Sequence, residues 1–221
     1  LKYATLIPAY NEEERLPGLL DSLPCSREDV VVVDDGSNDL TAQIAARFGC
    51  AVIRQTTNLG KGAAQRAGFD YIVSRDYDGV VTLDADGQHD PSLIPVFARK
   101  AEEGCFDILI GTRTLKPGTG MPMLRLLTNL TTSLVVSIMS GQRIRDSQSG
   151  YRYLSLRVVT NIPLTTSRYQ TESEVLIKAG RIGYRIGEVP ISTIYSGQKS
   201  SINKFVDTTR FIWMCVKNMW G

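Results

Sequence analysis

The sequence predicts an α/β fold with a mixed, mostly parallel central sheet flanked by helices. Strand-like and helix-like segments alternate through the first half of the chain, the pattern left by a parallel sheet with crossover helices. Val30-Val31-Val32-Val33 is an unbroken β-branched run, suited to a strand covered on both faces. At 221 residues, 43% hydrophobic and 22% charged, the chain fits one domain spanning 1–221 with a full core and no internal repeat or linker.

Tyr3 to Ile7 reads as the first strand, and Asn11 is placed to cap a helix that opens with Glu12, Glu13 and Glu14. After the valine run, Asp34-Asp35-Gly36-Ser37 turns the chain, and Asp39 or Ser37 caps a helix running through Phe48. Ala51 to Arg54, Gly79 to Leu83 and Asp107 to Gly111 are further strands, separated by a helix over Gly60 to Val73 and another opened by Pro91. The second half is less regular. Met123 to Met139 reads as a helix apolar nearly all round, and Thr171-Glu172-Ser173-Glu174 as a capping box. Arg185 to Val189 and Ile191 to Tyr195 read as strands meeting at Pro190, and Asn203 to Met219 as a last helix.

Composition excludes several functions. Lys+Arg of 25 against Asp+Glu of 23 gives net +2, too mild a charge for nucleic acid as a partner. Cys25, Cys50, Cys105 and Cys215 lie far apart, which argues against a disulfide framework or zinc site and for a reducing compartment. His89 is the single histidine, so no site of several imidazoles is possible. No uninterrupted run of 18 apolar residues predicts a spanning helix, and the N-terminal residues do not read as a signal peptide. A strand almost at the first residue and a helical pattern at the last are expected of a segment of a longer chain.

The chemistry gathers in loops that follow strands. Asp84 and Asp86 are two apart at a strand end, so both carboxylates can leave one face of the sheet and hold Mg²⁺ or Mn²⁺. Gln88 and His89 follow and complete or flank that site; the plainer alternative is a turn whose acids cap the next helix. Asp35 can accept hydrogen bonds from a base or ribose, with Gly36 allowing close backbone approach, and Tyr10 can pack on a base. Asn58-Leu59-Gly60-Lys61-Gly62 is similar to a shortened phosphate loop, or is a structural turn. Arg113 ends a strand, and the segment Asp146-Ser147-Gln148-Ser149-Gly150-Tyr151-Arg152 adds an acid and a second guanidinium, suited to phosphate or to surface ion pairs.

Together these segments resemble glycosyltransferase family 2, in the branch of dolichyl- or polyprenyl-phosphate mannose and glucose synthases. The segments are Ile7-Pro8-Ala9-Tyr10-Asn11-Glu12, Val33-Asp34-Asp35-Gly36-Ser37, Asn58 to Gly62, Asp84-Ala85-Asp86-Gly87-Gln88-His89, Gly111-Thr112-Arg113, Gln148 to Arg152 and Glu188-Val189-Pro190-Ile191, in the family's order. The resemblance implies a GT-A fold, the Rossmann-like fold of nucleotide-diphospho-sugar transferases. It also implies an inverting, metal-dependent transfer of mannose or glucose from a UDP- or GDP-hexose to a polyprenyl or dolichyl phosphate. By motif, Pro8, Tyr10, Glu12 and Asp35 line the nucleoside pocket, with Lys61 and Asp84 also on the nucleotide. Asp84, Asp86 and Gln88 hold Mg²⁺ or Mn²⁺ and the diphosphate. Arg113, Arg125 and Arg152 contact phosphates, and Lys199 and Ser200 lie in an acceptor loop within 199–221.

Asp86 and Arg113 then stabilise the departing diphosphate, and Asp146 is the candidate base if the acceptor needs one. A lipid acceptor agrees with the C-terminal pattern. Phe205, Ile212, Val216 and Met219 fall near helical spacing, Trp213 and Trp220 suit a bilayer interface, and basic residues outnumber acids from Lys199 onward. The expected location is peripheral, on the cytoplasmic side of a membrane. A soluble acceptor, a nucleotidyltransferase or a non-catalytic nucleotide-sugar-binding module are the alternatives.

Overall fold

The valine run forms β2 (Val30–Asp34), in which every residue is buried. The structure, a computed structural model, describes residues 1–113, 123–192 and 204–219, without the side chains of 204–207 and 219. Around β2 lie β1 (Tyr3–Ala9), β3 (Ala51–Arg54), β4 (Gly79–Thr82), β5 (Ile108–Arg113), β6 (Arg152–Ser155) and β7 (Ile186–Ile191). They form one sheet in the order β3-β2-β1-β4-β6-β5-β7, parallel except for β6, which runs antiparallel to both neighbours.

Alternating side chains feed two apolar layers, as a doubly covered sheet requires. Leu6, Val31, Val33, Val80 and Ile110 face one layer. Its helices are α3 (Lys61–Val73), α5 (Met123–Ser140), α6 (Leu156–Asn161), α7 (Thr171–Arg181) and α8 (Lys204–Met219). Ile7, Val30, Val32, Val81 and Leu109 face the other, under α1 (Leu16–Ser22), α2 (Thr41–Arg47) and α4 (Ile94–Gly104). Full burial of each such side chain contributes about 1.5–3 kcal/mol, so the sheet is a stiff platform for whatever its edge presents.

Several elements depart from expectation. α1 begins at Leu16, because Asn11 sits at φ 55° and is engaged elsewhere. Its N–H donates to Ser37 Oγ (2.9 Å), and its amide oxygen accepts from the Asn38 N–H (3.0 Å). Glu13 Oε2 accepts the Leu40 N–H, and Asp39 Oδ1 takes the N–H of Thr41, the first residue of α2. Side-chain bonds to backbone thus outcompete a longer α1 and staple two site loops together. The expected strands on either side of Pro190 meet in one strand, β7, which runs through it; residues 193–195 lie outside the described ones. Proline fits there because, among the described residues, β7 pairs only with β5 and so is an edge strand. β6 and α6 were not expected: β6 has four residues and begins with a buried arginine, which reads as loop.

The expected capping box is also rearranged. Thr171 is already helical, and the Glu174 carboxylate reaches back to the N–H groups of Thr165 and Thr166 (2.9–3.0 Å) and to Lys178 Nζ (2.6 Å). Burial alone would raise this carboxyl, but the bonds from Lys178 and Thr166 outweigh it and bring it to about 2. A depressed carboxyl stabilises the fold above its unfolded value of 4.5 and loses that contribution as pH falls toward about 2. Glu174→Gln is therefore expected to lower unfolding stability at pH 7 by up to about 3 kcal/mol. In denaturant titrations the gap from the parent should close between pH 4.5 and pH 2.

Candidate active site

Parallel pairing in register points three strand ends to one edge, β1 and β2 ending level and β4 three residues earlier. Ala9 of β1 lies opposite Asp34 of β2, and Leu6 of β1 opposite Thr82 of β4. The loops that follow carry Tyr10 and Glu12, Asp35, and Asp84 to Gln88 to one edge. β5 adds Arg113 at that edge. Antiparallel β6 pairs Arg152 with Thr82, so the residues preceding it, Asp146 to Gly150, arrive there too. The strand order reverses between β1 and β4, the position where open α/β sheets hold ligands. A cleft of about 750 Å³ opens there, lined by Pro8, Tyr10, Glu12, Asp35, Lys61, Asp84, Asp86, Gln88, Arg113 and Arg125. These are ten of the site residues expected from sequence.

On the nucleoside side, Tyr10 is 42% exposed and available for stacking. Glu12 is paired with Arg15 (3.0 Å), and burial pushes its carboxyl up. Asp35 accepts the N–H groups of Leu59 (2.8 Å) and Gly60 (2.9 Å), while burial raises its carboxyl against those bonds. The 58–62 segment is thus a tie that holds Asp35, and these two N–H groups are not presented to a phosphate. Gly36 has a related reason: at φ 75° its missing Cβ would sit 2.5 Å from the Thr57 carbonyl carbon. The close approach is backbone to backbone, in place of the ligand approach expected from sequence.

At the centre, Lys61 Nζ bridges Asp84 Oδ1 and Glu172 Oε1, each at 2.5 Å. Burial would lower this ammonium, but the Asp84 and Glu172 charges outweigh it and hold it well above its ordinary value. Asp84 is likewise pulled below the carboxylate range: burial opposes, and the Lys61 and His89 charges prevail. Asp86 is pushed up by burial and by the Asp84 charge. Gly150 makes this arrangement possible, since a Cβ there would lie 2.5 Å from Lys61 Nζ and 2.7 Å from Asp84 Oδ2. His89 is buried beside Tyr151, and desolvation lowers its pKa.

Two crowded carboxylates with an amide side chain beside them are hard oxygen donors, the chemistry of Mg²⁺ and Mn²⁺ and not of zinc. Among the described residues no group of three or more His, Cys, Asp or Glu could hold a metal. An ion at Asp84 and Asp86 would therefore complete its shell with substrate oxygens and water, as Mg²⁺ commonly does. The residues fit such an ion.

Two expectations are corrected. Asp146 is fully buried and does not line the cleft. Its oxygens receive Arg113 Nε (2.6 Å) and Nη2 (2.8 Å) and Asn129 Nδ2 (2.9 Å). Burial opposes ionisation, but the Arg113 bonds and charge dominate and its carboxyl is lowered, so it orients Arg113 and is no base. Arg152 is 2% exposed and donates to the carbonyl oxygens of Ser149, Glu172 and Ser147. It fastens β6 to α7 and is not a phosphate ligand. Lys199 and Ser200 lie outside the described residues. Glu172, Arg168 and Tyr169 line the cleft without having been singled out. Glu172 carried only a helix-start signal in the sequence, and the other two carried none.

Residues 5–160 match the family described as Glycosyl transferase family 2. Undecaprenyl-phosphate mannosyltransferase of Micrococcus luteus is 34% identical over 208 residues, covering 88% of this chain and 84% of that protein. UDP-N-acetylglucosamine–dolichyl-phosphate N-acetylglucosaminyltransferase of Methanococcus voltae is 33% identical over 214 residues, covering 86% and 85%. Among solved structures, glucosyl-3-phosphoglycerate synthase from Mycobacterium tuberculosis superposes with a TM-score of 0.77 at 19% identity, over 98% of this chain and 79% of that one. That likeness establishes the fold. A family match over more than half the chain, with relatives above 30% identity along most of their length, agrees with the cleft just described: the chain belongs to glycosyl transferase family 2.

Proposed function

We propose that this glycosyltransferase moves a hexose from a nucleoside-diphosphate sugar to a polyprenyl phosphate at a membrane surface. The observation that carries the reading is Asp146, the acid best placed in sequence to be a base, bound bidentately to Arg113. Every carboxylate lining the cleft among the described residues also has a partner: Arg15 for Glu12, backbone for Asp35 and Asp86, Lys61 for Asp84 and Glu172. A hydroxyl acceptor needs a base. A phosphate monoester is already ionised and needs only cations to receive it, and Arg113 and Arg125 line the cleft. The relatives named for undecaprenyl and dolichyl phosphates support the same acceptor class.

The acceptor oxygen attacks the anomeric carbon in line as the bond to the diphosphate oxygen breaks, its electron pair leaving with the nucleoside diphosphate. No proton moves, and the anomeric configuration inverts. Tyr10 and Asp35 orient the nucleoside, and Arg113 and Arg125 hold the two phosphate groups together against their repulsion. Asp84, Asp86 and Gln88 would hold Mg²⁺ or Mn²⁺, which when bound supplies positive charge to the departing diphosphate.

Support for membrane contact comes from α5. It is 18 residues long with mean hydropathy 1.3, long and apolar enough by composition to cross a membrane. It nonetheless packs against α7 with Leu127, Leu130, Leu134 and Ile138 turned outward, Ile138 at 72% exposure. α8 lies on the same face of the sheet with Ile212, Trp213 and Val216 exposed, and Arg181 ties the two helix ends through the Met139 and Asn218 carbonyls. A second cavity of about 860 Å³, walled by Leu130, Leu134, Ile138 and Pro190, meets the cleft at Arg113 and would take the prenyl chain. All four cysteines are free thiols, in keeping with the cytoplasmic side.

Transfer assays with UDP- and GDP-hexoses, Mn²⁺ and a short polyprenyl phosphate are expected to release nucleoside diphosphate only when acceptor is present. Release with a saccharide and not with the prenyl phosphate would sink the acceptor assignment. Asp84→Ala and Asp86→Ala are each expected to cut turnover by about 100-fold or more; parental activity in either would remove the pair from the mechanism. Leu134→Glu combined with Ile138→Glu should weaken flotation with anionic vesicles by roughly tenfold with little change in Tm, since both positions are exposed.

A further inference from the structure

α5 buries a mixed face. Its buried residues are Leu126 and Val136 together with Asn129, Thr132, Ser133 and Ser140, while Leu124, Leu127, Leu130 and Leu134 face outward. Hydrogen bonds, more than apolar packing, join it to the loop that carries Asp146. Ser133 Oγ accepts the Ser147 N–H (2.9 Å) and donates to Asn129 Oδ1 (3.0 Å). Asn129 Nδ2 donates to Asp146 Oδ1 (2.9 Å), and Asp146 receives the Arg113 guanidinium. The direction of this chain is determined by chemistry. An ionised carboxylate only accepts, so the amide must present its NH₂ to Asp146, and its oxygen must then face the Ser133 hydroxyl.

We infer that Asn129 is a positioning residue for the acceptor phosphate, setting the Arg113 guanidinium through Asp146. Asn129 is 1% exposed and does not line the cleft, so it touches neither substrate. Its effect reaches the reaction only through the carboxylate that Arg113 grips. The helix that turns an apolar stripe outward therefore also determines where the phosphate is received, and seating that helix on a lipid surface bears directly on Arg113. Buried networks of this kind have one well-satisfied arrangement, and removing a member leaves its neighbours unsatisfied. This inference rests on the polyprenyl-phosphate reading above.

Asn129→Leu keeps the branched shape and removes the donor to Asp146 along with the acceptor of the Ser133 hydroxyl. Steady-state kinetics of the full chain with a short polyprenyl phosphate should show the acceptor KM raised about tenfold, equivalent to about 1.4 kcal/mol. The donor KM, and nucleoside-diphosphate affinity by calorimetry, should stay within about twofold. A structural defect would instead move both substrates together. Ser133→Ala, which removes the hydroxyl that fixes the amide's orientation and accepts the Ser147 N–H, should shift the acceptor KM alone by roughly threefold, and it decides the matter if Asn129→Leu does not fold. Equal rises for donor and acceptor, or an unchanged acceptor KM in a folded variant, would overturn the role of Asn129. Parental protein that transfers to no polyprenyl phosphate at all would overturn the acceptor reading and this inference with it.

Discussion

Because β1 pairs in parallel register with both β2 and β4, three loops are obliged to open side by side at one sheet edge. Everything chemical in the molecule follows from that alignment. Antiparallel β6, inserted between β4 and β5, returns the chain to the same edge and delivers Gln148 and Gly150 to it. The layers above and below are filled by buried aliphatic side chains, so the loops are anchored at their strand ends and need only local bonds to hold shape. Asn11, Glu13 and Asp39 provide those bonds between the first two loops.

The cleft then faces an electrostatic problem. Asp84, Asp86 and Glu172 stand in a partly desolvated space where like charges repel strongly. Lys61 resolves part of it by bridging Asp84 and Glu172, and Gly150 leaves the room for its ammonium. Asp86, held against Asp84 with its carboxyl pushed up, is where a further positive charge is most favourable. Arg113 and Arg125 line the same cleft, with Arg113 held by the buried Asp146.

The long apolar helix joins this chemistry to the outer face of the fold. Its polar residues hold the loop bearing Asp146, and Leu127, Leu130, Leu134 and Ile138 are left exposed. An ordinary amphipathic helix of a soluble protein would have the reverse arrangement. Buried hydrogen-bonded networks specify geometry more sharply than aliphatic contacts do, which suits a helix that must hold a guanidinium in place.

The sequence by itself determined a mostly parallel sheet, the five strands of its first half and the ten cleft residues that follow strand ends or open helices. Those features are local: a β-branched run, a carboxylate pair two residues apart, an arginine closing a strand. It could not decide what a side chain would meet across the fold. Asp146 reads as a base until Arg113, 33 residues away, is found gripping it. Glu172 reads as a helix-start residue until Lys61, 111 residues away, reaches it. Arg152 reads as a phosphate ligand until three carbonyl oxygens claim it. The exposed side of α5 was hidden for the same reason, since a helix apolar nearly all round has no face that the chain alone marks as outer. Charge, burial and orientation belong to pairs of residues brought together by topology, and only the tertiary structure decides those pairs.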